Sequence, residues 1–164
     1  CVPIIENGKL ISIEGRDFVG GQRAKVLYPR GGSVSTLFNI DNLDKKKPLI
    51  IVEGLMDLAK IWKFVSKNVT TTFGVKVTKR QQDLLNQFED LILFPDDDAG
   101  GEEFIKIFDK FYEHNFRIVK ISGKDPGDAT VEEIKGVMKK PIKSEEYLLY
   151  KHEILHEREE VDWP

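Results

Sequence analysis

Two four-residue runs, Leu49-Ile50-Ile51-Val52 and Leu91-Ile92-Leu93-Phe94, contain no polar side chain. A strand with one wet face alternates apolar and polar residues, whereas a strand apolar at every position needs both faces covered. That is the situation of a parallel sheet with helices on its two sides. The segments between and after these runs supply the helices. Residues 56–65 place Leu58, Ala59, Trp62 and Val65 at helical spacing, and residues 102–114 do the same with Phe104, Ile105, Phe108 and Phe111. Trp62 and these phenylalanines read as core. Thr78 reads as the N-cap of a helix running through Leu84, Leu85 and Phe88, and Thr130 with Glu133 has the spacing of a capping box over residues 130–138. Residues 69–73 are β-branched up to Phe73 and residues 116–121 carry another apolar run, so both read as strands. The alternation predicts an α/β fold, with a sheet of about four mainly parallel strands flanked by helices.

The first part of the chain has a different texture. Residues 3–13 read as a hairpin turning at Asn7-Gly8, and residues 18–28 as a second one turning at Gly20-Gly21. A polar, lysine-rich stretch over residues 41–48 then marks a boundary. The expected organisation is a small β-rich N-terminal lobe over residues 1–47, the α/β domain over 48–140, and a charged tail or helix over 141–164.

Composition narrows the function classes. With 164 residues, 40% hydrophobic and 32% charged, the chain has the make-up of a globular domain rather than a disordered one. The net charge of −3 supplies no global cationic field, so a nucleic-acid partner needs a local basic patch or metal ions. The single cysteine, Cys1, excludes an internal disulfide or a cysteine-rich zinc site and points to a reducing, cytoplasmic setting. No apolar stretch approaches the roughly 20 residues of a membrane span, and no signal peptide is visible. The chain does not begin with Met, which reads as a piece of a longer protein. His152 and His156 stand four apart, but no third ligand accompanies them, so they and His114 read as surface residues.

The chemistry-bearing feature is acidic. Glu53 follows the first apolar strand, Asp96, Asp97 and Asp98 follow the third, and Asp125 and Asp128 follow the fourth, in Gly123-Lys124-Asp125-Pro126-Gly127-Asp128. In an open parallel sheet the carboxyl ends of strands are where ligands bind. Carboxylates gathered there repel one another unless cations neutralise them, and an all-oxygen donor set selects Mg2+ or Mn2+. Two such ions can activate an attacking oxygen and stabilise a leaving one in phosphoryl transfer. Gly54 reads as allowing a tight turn after Glu53, and Gly100-Gly101 as allowing close approach to the aspartates.

These residues carry a resemblance. Val52-Glu53-Gly54-Leu55-Met56-Asp57 resembles the Glu-Gly motif of Toprim domains, and Asp96-Asp97-Asp98-Ala99-Gly100-Gly101 resembles their Asp-x-Asp-x-x-Gly motif. The resemblance implies that Glu53, Asp96 and Asp98 are catalytic. It also implies that Glu53, Asp57, Asp96, Asp98, Asp125 and Asp128 hold two or more Mg2+ or Mn2+ ions. Asp57 and the motif around Asp125 are similar to features of the primase branch, as is Gly74 at the end of the second strand. The block from Glu14-Gly15-Arg16-Asp17 through Lys25-Val26-Leu27-Tyr28-Pro29 resembles the segment that precedes the Toprim region in DnaG-type primases. By that resemblance Arg16 and Lys25, with Arg23, Arg30 and Lys124 nearby, bind nucleic acid or nucleotide.

The implied activity is metal-dependent synthesis of RNA primers on a single-stranded DNA template from ribonucleoside triphosphates. A replicative helicase, fused or separate, is the implied partner, and a bacterial cell or phage-infected host the setting. A Toprim nuclease would use the same acids with water as nucleophile, and a binding module could keep the fold without catalysis. A receiver-like phosphoacceptor domain fits poorly, because a glutamate follows the first strand. The single cysteine cannot supply the zinc module of DnaG-type primases.

Overall fold

In a computed structural model the described residues are 1–17, 26–29, 34–113 and 115–159. The N-terminal hairpin forms as expected. Strands β1 (Val2–Glu6) and β2 (Lys9–Arg16) pair antiparallel across a turn in which Asn7 and Gly8 both have positive φ, 51° and 70°. This is the backbone that an Asn-Gly pair adopts most readily. Both turn N–H groups donate to the Asp41 carboxylate, at 2.7 and 2.9 Å, which fixes the hairpin against a short 3-10 turn, Ile40–Asn42. β3 (Val26–Leu27) adds to the far side of β2. The proposed second hairpin, over residues 18–28, lies mostly outside the described residues. The inner face of this small sheet is unexpectedly polar. Glu6, Ser12 and Glu14 are buried beside Ile4, while Ile5, Ile11 and Ile13 face outward. The inward carboxylates are matched: Arg80 donates to Glu6 at 2.6 Å and Tyr28 to Glu14 at 2.7 Å.

The main sheet has five strands in the order β5-β4-β6-β7-β8. β4 (Leu49–Val52), β5 (Val69–Thr71), β6 (Leu91–Leu93) and β7 (Arg117–Ile118) run parallel. The fifth, β8 (Ile142–Lys143), pairs antiparallel with β7 and is not expected from the sequence pattern. Side chains of β4 and β6 go alternately to two cores, which is why these runs are apolar throughout. On one face Ile50, Val52, Ile92 and Phe94 meet Leu55, Leu58 and Ile61 of α1 (Leu55–Phe64) and Ile134 of α4 (Val131–Val137). On the other, Leu49, Ile51, Leu91 and Leu93 meet Leu85 of α2 (Lys79–Leu85) and Phe104, Ile105, Phe108 and Tyr112 of α3 (Ala99–Tyr112). Leu37 and Leu43, which precede β4, also enter this second core. A C-terminal helix, α5 (Ser144–Glu159), packs Tyr147 and Leu148 against it.

Several local expectations hold and several shift. Thr78 and Thr130 each cap their helix with a full capping box, using Gln81 and Glu133. Helix α2 ends at Leu85, before Phe88, and α3 begins three residues earlier than its apolar pattern, because Asp98 caps it. The strand expected over residues 116–121 is short, with Ile121 only in an isolated bridge to Lys124. Trp62 and Phe111 are not core: each is 44% exposed, since α1 turns the Leu55-Leu58-Ile61 stripe to the sheet and α3 turns Phe104 and Phe108. His152 lies exposed on α5.

Candidate active site

The strand order creates the site. From β4 the chain crosses through α1 to β5 on one side, then through α2 to β6 on the other, so the winding direction reverses between β4 and β6. Such a switch point leaves a crevice at the strands' carboxyl ends. Glu53 leaves β4 there and Asp96 leaves β6, and the two are joined directly: the Asp96 N–H donates to Glu53 Oε1 at 3.1 Å. The Glu53 carbonyl is fixed as well, accepting from Thr71 Oγ1 at 2.7 Å and from the Gly74 N–H at 2.9 Å.

The remaining acids approach from neighbouring loops. Asp57, in the first turn of α1, accepts the Gly127 N–H at 2.8 Å, and Lys60 donates to the Gly127 carbonyl at 2.7 Å. Asp125 Oδ1 accepts the Asp97 N–H at 3.1 Å. Asp98 uses Oδ1 to accept the Gly101 N–H at 2.8 Å as the N-cap of α3. Asp128 is exposed in the turn that follows Asp125.

The electrostatics follow from this crowding. Burial, and then the charges of Glu53, Asp57, Asp125 and Asp98, push the Asp96 carboxyl up to about 7. Burial also raises Glu53, helped by Asp98, Asp57 and Asp125 and opposed by the Asp96 N–H. Asp57 is raised by burial, against the hydrogen bond from Gly127 and the nearby Arg16. Asp96 Oδ1 is buried and accepts no hydrogen bond. Carboxylates pressed towards protonation, one with an orphaned oxygen, suit a cation that would restore their charge. Among the described residues no three of these acids stand together in a group that could hold a metal ion as it is.

A cavity of about 310 Å3 opens over Glu53, Asp57 and Asp96, with Glu14, Arg16 and Tyr28 of the N-terminal sheet on its other wall. Arg16 is therefore brought to the acids. Its Nε lies 3.6 Å from Glu14 Oε1 and makes no hydrogen bond. Lys124 instead pairs with Glu133, at 2.6 Å. Arg23, Lys25 and Arg30 lie outside the described residues.

One glycine departs from expectation and one meets it. Gly54 has an ordinary extended backbone, φ −123°, so no special turn requires it; a Cβ there would sit 2.9 Å from Asp57 Oδ2. Gly101 serves the expected close approach, here of backbone: a Cβ would meet the Asp96 carbonyl oxygen at 1.9 Å. Sequence reasoning also passes over Glu14 and Tyr28 as cavity residues. The signal available is the β2 alternation, which puts Ser12 and Glu14 on the face of buried Ile4.

Comparison with known proteins agrees with this geometry. A family model described as Toprim-like matches residues 50–130. The DNA primase of Lactococcus lactis subsp. lactis (strain IL1403) is 29% identical over 137 residues, covering 75% of this chain and 21% of that protein. The chain thus spans about a fifth of that relative's length. A DnaG primase catalytic domain solved with single-stranded DNA bound superposes with a TM-score of 0.72 at 19% identity, over 91% of this chain and 53% of the other. The primase fragment of the bacteriophage T7 primase-helicase gives 0.66 at 18% identity, over 84% and 59%. Residues 50–130 are thus Toprim-like, and the fold is that of primase catalytic domains. The relatives that the chain resembles are DNA primases, the DnaG type among them.

Proposed function

We propose that this chain is the Toprim-bearing catalytic portion of a primase, making RNA primers on single-stranded DNA from ribonucleoside triphosphates. The observation that carries the reading is the single crevice in which Glu53, Asp57 and Asp96 face Arg16, with Asp98 and Asp125 close enough to shift their acidity. Mg2+ or Mn2+ held by Asp96 and Asp98, with Glu53, Asp57, Asp125 and Asp128 as further donors, would supply Lewis-acid stabilisation of phosphoryl oxygens. Arg16, whose guanidinium lines the crevice beside Glu14, binds the phosphates of the incoming nucleotide. Glu53, at the mouth of the crevice, is either a further donor to the cation or the base that takes the proton of the attacking 3′-hydroxyl. The bond from that oxygen to the α-phosphorus forms as the bond to pyrophosphate breaks. Asp57 keeps the Gly127 turn, and with it Asp125, at the crevice.

The similarity of the N-terminal sheet as well as the Toprim region to primase cores supports primer synthesis over hydrolysis, since the alignment extends to 91% of the chain. The DNA-bound and helicase-fused neighbours support a single-stranded template and a helicase partner, fused or separate. Among the described residues no helix is long and apolar enough to cross a membrane.

The test is a Mn2+ titration by calorimetry on the chain and on an Asp96→Ala, Asp98→Ala variant, alongside ribonucleotide incorporation on single-stranded DNA. Binding lost in the variant, with incorporation by the parent chain, supports the reading. Strand cleavage in place of incorporation moves the assignment to a nuclease. No binding at millimolar Mn2+ with nucleotide present overturns it.

A further inference from the structure

Asp97 stands between two residues assigned to the cation site, yet its own polar atoms are committed elsewhere. Its Oδ2 accepts the Gly123 N–H at 2.6 Å, Lys120 Nζ lies 3.0 Å from its Oδ1, and its N–H donates to Asp125 Oδ1 at 3.1 Å. These contacts tie the loop after β6 to the loop after β7. Lys120 is held in turn by Glu102 Oε1 at 2.8 Å, in the first turn of α3. That same oxygen accepts from Tyr147 at 2.8 Å and from Lys151 at 3.1 Å, both on α5.

This is unlike an ordinary surface ion pair. Lys47–Asp44 and Lys79–Asp83 are local and exposed, the kind that contributes little. The Lys120 side chain is only 16% exposed, and its network joins segments 18, 26 and 49 residues apart. We propose that Asp97, Lys120 and Glu102 form a clamp through which the C-terminal helix sets the spacing of the two acidic loops. Lys120 is then a positioning residue, and Asp97 is an architectural acid rather than a cation ligand. The inference rests on reading the acids as a cation site.

The clamp and simple charge effects predict opposite signs. Lys120 is a cation beside carboxylates, so if it acted only through its field, Lys120→Met would tighten Mn2+ binding. A clamp that holds ligands in place predicts weaker binding, by about tenfold or more, as for other partners that orient metal ligands. The experiment measures Mn2+ affinity by calorimetry, and amide hydrogen exchange, for the parent chain, Lys120→Met, Lys120→Arg and a Tyr147→Phe, Lys151→Met variant.

Weaker Mn2+ binding in Lys120→Met, partly restored in Lys120→Arg, supports the clamp. So does exchange about tenfold faster at the Asp97 and Gly123 amides, the worth of one charge-assisted hydrogen bond, with the Val119 amide of the sheet unchanged. The α5 variant, which leaves the acidic loops and Lys120 intact, should show the same exchange pattern and decides the matter if Lys120→Met does not fold. Tighter or unchanged Mn2+ binding, or unaltered exchange at Asp97 and Gly123, overturns the clamp. If the parent chain binds no Mn2+, the reading of the acids fails, and the exchange comparison still decides the clamp.

Discussion

Gly101→Ala tests how rigidly the acidic edge is built. Gly101 is the third residue of α3, and its N–H donates to the capping Asp98 at 2.8 Å. An added Cβ meets the Asp96 carbonyl oxygen at 1.9 Å, its carbonyl carbon at 2.9 Å and its nitrogen at 3.1 Å. Reaching ordinary contact, which begins near 3.4 Å, requires a movement of about 1.5 Å. Asp96 cannot yield freely, because its N–H is held by Glu53 and it follows the fully buried Phe94. Overpacking of this kind costs about 1–3 kcal/mol, and disturbing the Asp98 cap adds about 1 kcal/mol. Alanine's better helix propensity returns about 1 kcal/mol at most. The steric cost wins, and the net loss is about 1–3 kcal/mol, a fall in Tm of about 2–12 °C for a chain of this size. Calorimetric or guanidinium unfolding measures it, with Gly136→Ala as the internal control. Gly136 lies in α4, and a methyl added there has nothing within 4 Å, so that change should be neutral or stabilising by up to about 1 kcal/mol. A Gly101→Ala variant as stable as its parent would refute the close-approach argument.

Other consequences can be measured in the same way. Phe108, fully buried among Phe104, Tyr112 and Phe116, should cost about 3–5 kcal/mol on truncation to alanine, read by denaturant unfolding. Thr130→Ala removes one half of a capping box and should cost about 1 kcal/mol, with Thr130→Ser recovering most of it. Burial opposes ionisation of Glu102, but hydrogen bonds from Lys120, Tyr147 and Lys151 prevail and hold it at about 2. Because that value is depressed, its contribution to stability is complete above the ordinary glutamate range and is lost as pH falls towards about 2. The stability gap between parent and Glu102→Gln should therefore shrink across that interval in urea melts, and a gap independent of pH would contradict the pairing. Arg80→Met leaves the buried Glu6 carboxylate without its 2.6 Å partner and should destabilise by about 1–3 kcal/mol, less when Glu6→Gln is also present.

What the chain reveals of itself depends on whether a feature is written in side-chain chemistry. The doubly covered strands β4 and β6 are legible because burial on two faces leaves no room for a polar residue. The capping threonines are legible because only a few side chains can accept the first helical N–H groups. Helix α1 shows the limit. Leu55-Leu58-Ile61 and Leu58-Ala59-Trp62-Val65 both have helical spacing, and only the sheet's position decides that Trp62 stays exposed. Strand β8 is held by backbone pairing with β7 and leaves both its side chains outside, so nothing in its composition announces it. At the site, acids after strands pointed to the crevice. Asp98's use as a cap and Asp97's attachment to Gly123 and Lys120 arise from loop packing, which spacing does not encode.

The reversal of winding between β4 and β6 also has a bearing on how the molecule comes into being. Glu53 and Asp96 are 43 residues apart, and meet only when β6 inserts beside β4 after α1, β5 and α2 have been laid down. Contacts of such long range close late in folding, because the loop between them must be ordered first. No contiguous supersecondary unit of this chain contains both acids, and a cut anywhere between them divides the crevice. A half-folded chain thus has its carboxylates dispersed, and the capacity for chemistry appears together with the completed sheet.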